Sequence, residues 1–204
     1  MTLADSDFSI VHALALRKRS DFDGLVRATG AEASEIEAAL RRAAEAKVVL
    51  AARGNYFVTP DGEKKLRSAY EERFAHHRAS LAFGAACDRF EEVNRTVKSL
   101  VTQWQTRSVG GRMVPNDHSD EAWDERILEH LAEAHGQAEM VLADLEKEAP
   151  RFARYRERLA AALERAGAGE PEWVSGVRCD SYHSVWFELH EDLLRILDRA
   201  REER

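Results

Sequence analysis

Apolar residues in the first third of the chain keep a helical period through three short blocks and then switch to a strand period. Phe8, Val11, Leu14 and Ala15 recur at helical spacing and predict a first helix ending near Arg19. Phe22, Leu25 and Val26 give the apolar face of a short second helix, with Ser20-x-x-Asp23 as its N-cap pattern and Gly30 as its stop. The third block opens at Ser34-x-x-Glu37, a capping box in which hydroxyl and carboxylate each accept a backbone N–H of the first turn. Ile36, Leu40 and Ala44 then face inward, with Arg41 and Arg42 near the outer side. From Lys47 the period changes: Val48 to Ala51 and Tyr56 to Val58 read as two strands around a Gly54-Asn55 turn. Thr59-Pro60-Asp61-Gly62 closes this hairpin, with Thr59 capping a new helix and Pro60 at its first position.

Three helices, a hairpin and a helix start within some sixty residues is the order of a winged helix-turn-helix, assigned to residues 1–68. The segment Gly54-Asn55-Tyr56-Phe57-Val58-Thr59-Pro60-Asp61-Gly62 resembles the wing-to-linker segment of the MarR and PadR families of bacterial regulators. The resemblance covers about a third of the chain. It implies that the third helix enters the DNA major groove and the hairpin touches the adjacent backbone or minor groove. On that basis Ser34, Ala38, Arg41 and Arg42 lie on the recognition helix, and Arg53 and Asn55 lie at the wing. Winged helices also serve as protein-interaction modules. Glu32, Glu35, Glu37 and Glu45 on or beside the third helix favour that alternative, because they repel phosphate unless turned away.

After Ser68 strand signals vanish, and residues 69–204 read as a helical domain for effector binding and dimerisation. One long helix is expected from the hairpin through Gln105, its stripe of Tyr70, Phe74, His77, Leu81, Cys87, Phe90, Val97, Val101 and Trp104 interrupted by Asn94. A polar residue there either fixes the register of a helix seam or faces a cavity. Residues 106–118, with Gly110-Gly111, are expected as a loop. Further helices follow from about Ser119 to before Pro150, from Phe152 to Gly167, and from about Asp180 to the C-terminus. The fold class is therefore mainly α: a winged helix followed by a four-helix domain.

Charge changes this picture only in part. The chain is acidic, at −7, yet residues through Arg67 hold 11 basic and 10 acidic side chains, against 19 and 27 in the remainder. The first part is thus compatible with DNA without being a strongly basic surface. The N-terminal segment carries Asp5 and Asp7 where a secretory signal needs positive charge, and no apolar run reaches membrane-spanning length, so a cytoplasmic location without membrane contact is expected. Cys87 and Cys179 fit no disulfide or zinc spacing.

The densest chemical segment is Asp180 to Asp192. Tyr182, Trp186, Leu189 and Leu193 form one face, read as core, and His183, Trp186 and His190 form its neighbour. Either the two histidines are buried with Glu or backbone partners, or this face lines a small-molecule pocket. The second reading gives an effector site of Asn94, Lys98, Trp104, His118, Trp123, His183, Trp186 and His190, aromatic walls with a few polar groups. Arg95, Lys98, Arg107 and Arg112 near the end of the long helix either hold a carboxylate or phosphate or, as is the commoner case for any one of them, are solvated surface. His190-Glu191 does not complete HExxH, because position 194 is Leu, and His183 and His190 stand about 10.5 Å apart along a helix. No metal or other cofactor is expected. An enzyme using His183, Glu188 and His190 for acid-base work is the remaining alternative, with no nucleophile triad, phosphate loop or dinucleotide fingerprint behind it.

The runs Trp104-Gln105, Asn116-Asp117-His118, Asp180 to His183 and Trp186 to Asp192 resemble a helical region found with phosphoenolpyruvate synthase and pyruvate phosphate dikinase-like proteins. That resemblance implies an accessory or regulatory role for a metabolic enzyme. The leading expectation is a homodimeric transcriptional regulator that binds double-stranded DNA and responds to a small molecule.

Overall fold

The computed structural model describes residues 4–200 and is mainly helical. Two compact units make up the chain: residues 1–79 together with 191–204, and residues 80–190. The boundary expected at residue 68 falls inside a helix, and the first unit continues to Ala79 and takes in the C-terminal residues.

In the first unit, α1 (Asp5–Arg17) is buried on every side from Ile10 to Leu16, so it is the unit's central helix and not a surface helix with one apolar stripe. The cap of α2 (Phe22–Thr29) is Asp21, whose carboxylate accepts the Gly24 N–H at 2.8 Å, and Gly30 closes the helix at φ 67°. Ser20, expected as the cap, pairs instead with Tyr56 through two backbone hydrogen bonds of 2.8 and 3.3 Å. The third helix, α3 (Ala33–Glu45), starts one residue before Ser34, and its N-cap position, Glu32, makes no side-chain cap. The capping box is therefore not formed. Ile36, Ala39, Leu40 and Ala43 make the buried face, and Ala44, expected inside, is exposed because it lies 100° further round than Ala43.

The strands β1 (Val49–Ala52) and β2 (Asn55–Val58) pair antiparallel with Val49 opposite Val58 and Ala52 opposite Asn55. Their turn is Arg53-Gly54, not Gly54-Asn55. Both central residues have positive φ, 50° and 76°, as a type I′ hairpin turn requires. Thr59 then joins three pieces. Its N–H donates to the Val48 carbonyl, its hydroxyl donates to the Lys47 carbonyl at 2.7 Å, and the same oxygen accepts the Gly62 N–H of α4 (Pro60–Arg73).

The expected long helix is three. α4 ends at Arg73, α5 (Ala75–Ala79) adds a turn and a half, and α6 (Leu81–Gln105) starts afresh in the second unit. Ser80 makes the break: its backbone is extended and its hydroxyl caps the Phe83 N–H.

In the second unit, residues 106–118 are not an open loop. β3 (Thr106–Val109) and β4 (Arg112–Pro115) pair across Gly110-Gly111, again with two positive φ values, 58° and 78°. α7 (Glu121–Glu148) runs back antiparallel to α6, since Arg89 near the start of α6 meets Asp144 near the end of α7. Phe83, Cys87, Phe90, Val97 and Trp104 are buried on α6, as are Ile127, Leu131, Ala138, Leu142 and Leu145 on α7. A 3-10 turn (Pro150–Phe152), α8 (Ala153–Gly167), the short α9 (Glu172–Ser175) and α10 (Tyr182–Leu197) complete the chain. α9 lies between the helices expected over 152–167 and from about Asp180, and α10 ends at Leu197, with 201–204 outside the described residues. No helix among the described residues is long and apolar enough to cross a membrane.

Gly62 shows how tightly α4 meets the hairpin base: a Cβ there would sit 2.3 Å from the Val48 carbonyl oxygen. Alanine gains at most about 1 kcal/mol of helix propensity, whereas the clash with backbone costs about 1–3 kcal/mol. Gly62→Ala should therefore lower the urea midpoint. A midpoint equal to or above wild type would show that the hairpin base yields.

Candidate functional site

The outward stripe of α3 follows from its helical period. With Ile36, Ala39, Leu40 and Ala43 inside, Ser34, Ala38, Arg41 and Glu45 align on the opposite side, flanked by Glu37 and by Arg42 with Glu35. Ser34, Arg41 and Glu45 are exposed and Ala38 is half-buried. Arg42 differs from Arg41 in its bonding. Its Nη2 lies 2.6 Å and its Nε 3.1 Å from Asp7 Oδ1, a bidentate grip that ties α3 to α1 and holds the guanidinium above its usual basicity. Arg41 has no ion-pair partner among the described residues. At the hairpin, Arg53 is exposed at the tip, and Asn55 is half-buried with its amide donating to the Arg53 carbonyl.

In the helical unit the residues expected to form one effector site separate into two groups. One joins Asn94, Trp186 and His190. The Trp186 ring stacks on Phe90 at 4.9 Å, and its indole N–H donates to Asn94 Oδ1 at 2.9 Å. The Asn94 amide donates to Glu91 Oε2, and Glu91 Oε1 lies 2.8 Å from His190 Nε2. Asn94 therefore ties α6 to α10 directly through its oxygen, while its amide nitrogen holds Glu91 of the same helix, which reaches His190 on α10. His183 is half-buried on the same helix, and Lys98 is exposed on α6.

The other group gathers Trp104, His118 and Trp123 at the far end of α6, ten residues and about 15 Å of helix from Asn94. Asn116 organises it, donating to the Trp104 carbonyl at 3.0 Å and to Asp124 Oδ1 at 2.9 Å. His118 Nδ1 lies 2.8 Å from Asp124 Oδ2, and its ring packs 4.7 Å from that of Trp104. The Trp123 indole donates to the Gln103 carbonyl. Arg107 approaches Asp120 at 3.8 Å, and Arg112 is exposed on the second hairpin. Arg95 lines an open groove of about 430 Å³ with Gln103, His130 and Glu133.

Two networks escaped the sequence reading. In the second unit Arg158, on the core stripe of α8, holds Asp180 at 3.1 Å and Glu188 at 2.8 Å, all three side chains under a tenth exposed. Burial alone would lower the basicity of Arg158; Glu188 and Asp180 outweigh it and keep the group firmly charged. Glu188 is thus held by Arg158 and His190 by Glu91. In the first unit the buried His12 bonds the Tyr70 hydroxyl through Nδ1 at 2.6 Å and Asp192 through Nε2 at 3.3 Å. Both have a sequence signal: a charged or titratable residue on an apolar stripe, Arg158 between Tyr155 and Leu159, His12 within Ile10–Leu16.

Among the described residues no group of three or more His, Cys, Asp or Glu side chains is placed to hold a metal ion. Cys179 precedes α10; burial, then Glu172 and Asp180, push its thiol up, away from the reactive thiolate. Comparison of the chain with family models, curated proteins and solved structures returned no match.

Asn94→Leu should destabilise the protein by about 1–3 kcal/mol, because it strands the Trp186 indole N–H in the core. Pairing it with Trp186→Phe, which removes that donor, should recover part of the loss; additive losses in a urea double-mutant cycle would refute the coupling. His135 gives a pH signature. Burial, opposed by Glu139, holds its pKa below 6.5 beside the Tyr182 hydroxyl. The folded state thus disfavours its protonation, so this contribution is intact above pH 6.5 and is lost as pH falls toward the lower folded value. His135→Gln should flatten the fall in urea midpoint between pH 7 and pH 5, and an unchanged slope would exclude this histidine as its source.

Proposed function

We propose that the chain is a DNA-binding transcriptional regulator of the winged helix-turn-helix kind. α3 would read the major groove, the β1–β2 hairpin would lie along the adjacent backbone, and the helical unit would serve dimerisation and effector response. The observation that carries this reading is the closed arrangement of the first unit. α1, α2 and α3 are followed by a hairpin whose β2 strand is bridged at Tyr56 to Ser20 between α1 and α2, leaving the Ser34–Ala38–Arg41 stripe facing outward. The Arg42–Asp7 grip supports it in a second way: it orients α3 on α1, so Arg42 acts through position and Arg41 is the cation available to phosphate or a base edge.

One observation favours a second reading. Glu35, Glu37 and Glu45 are exposed on α3. A helix with three exposed acids and one unpaired arginine suits a basic protein partner as a regulatory module for a metabolic enzyme.

Fluorescence anisotropy on labelled DNA from the region upstream of the protein's own gene separates the two. Regulator function predicts tight, salt-dependent binding that resists random competitor DNA. Arg41→Ala should weaken it roughly tenfold and shallow the salt slope by about one. Binding no stronger than to random DNA would favour the interaction module, and an unchanged slope in the variant would remove α3 from the groove.

A further inference from the structure

We propose that the first unit holds a binding site for a small oxyanion, the carboxylate or phosphate group of a metabolite, in a cavity of about 190 Å³ lined by α4, by Arg78 of α5 and by the end of α10 with the two residues that follow it. As the seat of an effector response it rests on the regulator reading; as a binding site it does not.

The charge arrangement carries the proposal. Arg67, Arg78, Arg195 and Arg199 all line this cavity. Arg195 is already committed, to Glu191 at 2.9 Å and Glu63 at 3.2 Å, and Lys18 also meets Glu191 at 3.6 Å, so these two cations and two acids balance. Arg78 is held by carbonyl groups: those of Tyr70 and Glu71 on α4 and of Ile196 on α10, at 3.3, 2.8 and 3.0 Å. It is thereby fixed in place, and it forms no ion pair with a carboxylate among the described residues. Arg67 and Arg199 stand exposed and form no ion pair among the described residues. Glu71 and Asp198, the remaining acids of the lining, are exposed. Three guanidiniums without an ion-paired carboxylate thus surround the cavity, one of them preset and two free to swing in. The planar fork of arginine fits the paired oxygens of a carboxylate or phosphate.

Size narrows the class. The volume of about 190 Å³ holds several water molecules. That accommodates phosphate or a short carboxylic acid. An anion drawing Arg67 and Arg199 inward would bridge α4 to the end of α10. α4 is the helix that begins at the hairpin base, so such a ligand acts on the element that sets the hairpin.

The test is thermal unfolding of the full chain titrated with inorganic phosphate and, separately, with malonate, at constant ionic strength made up with chloride. A saturable rise of roughly 5 °C at a hundredfold excess over the dissociation constant is expected for at least one probe. A response to phosphate alone assigns the phosphoryl group, and to malonate alone the carboxylate. The Arg67→Ala/Arg199→Ala variant should keep the basal melting temperature and lose the rise, while Arg41→Ala keeps it. No saturable rise with either probe, or a rise that survives in the double variant, overturns the site. No DNA is present, so a protein that binds no operator still reports the site, and one that binds operator without a rise loses only this site.

Discussion

The first unit depends on satisfying a histidine at the centre of a fully buried helix. From Ile10 to Leu16 every side chain of α1 is shielded from water, and His12 is among them. An imidazole in such a place is tolerated only when its nitrogens find partners, since an unpaired buried polar group costs about 1–3 kcal/mol. The partners lie far from it and from each other in the sequence. Tyr70 on α4 and the fully buried Asp192 on α10 reach it from two sides, and the His12 ring also stacks on Phe8 at 5.4 Å. One solvation requirement thereby places three helices separated by up to 180 residues, and it gives a physical reason for residues after His190 to group with the N-terminal unit.

The second unit solves the same problem with charge. Arg158, Asp180 and Glu188 form a dry triplet, and Glu91, Asn94, Trp186 and His190 form a chain of hydrogen bonds between α6 and α10. Such networks are costly when incomplete and specify one arrangement when complete. The polar residues that draw the eye in Asp180–Asp192 are largely absorbed in this way. Arg41, Arg67 and Arg199, which form no ion pair among the described residues, lie elsewhere.

This division explains what was legible in the sequence. Helix positions, the first hairpin, the Thr59-Pro60 helix start and the Gly30 stop were readable because each rests on local chemistry: period, capping and backbone freedom. Local reading failed where two local signals competed. Ser20 and Asp21 both suit a cap, and tertiary pairing with Tyr56 took Ser20. Ser80, inside an unbroken apolar stripe, ended one helix and capped the next. The second hairpin carried its own signal in Gly110-Gly111, a two-residue turn with Val109 before it and Val114 in the strand after it. The candidate site was less legible. Which of Arg41 and Arg42 is free depends on Asp7, thirty-five residues away, and the cavity depends on bringing α4 to the end of α10. No spacing within either segment records such a meeting.

The first hairpin joins a locked base to an open tip. At the base one threonine side chain serves two hydrogen bonds and Gly62 abuts the Val48 carbonyl, whereas nothing lies within 4 Å of a Cβ placed on Gly54. A one-residue slip in the strands turns every side chain to the wrong face, so length can change only by whole pairs added beyond Ala52 and Asn55. Evolution of this element is therefore free in reach and fixed in direction: the hairpin can lengthen toward whatever it touches, but it cannot be re-aimed without rebuilding the helix that follows it.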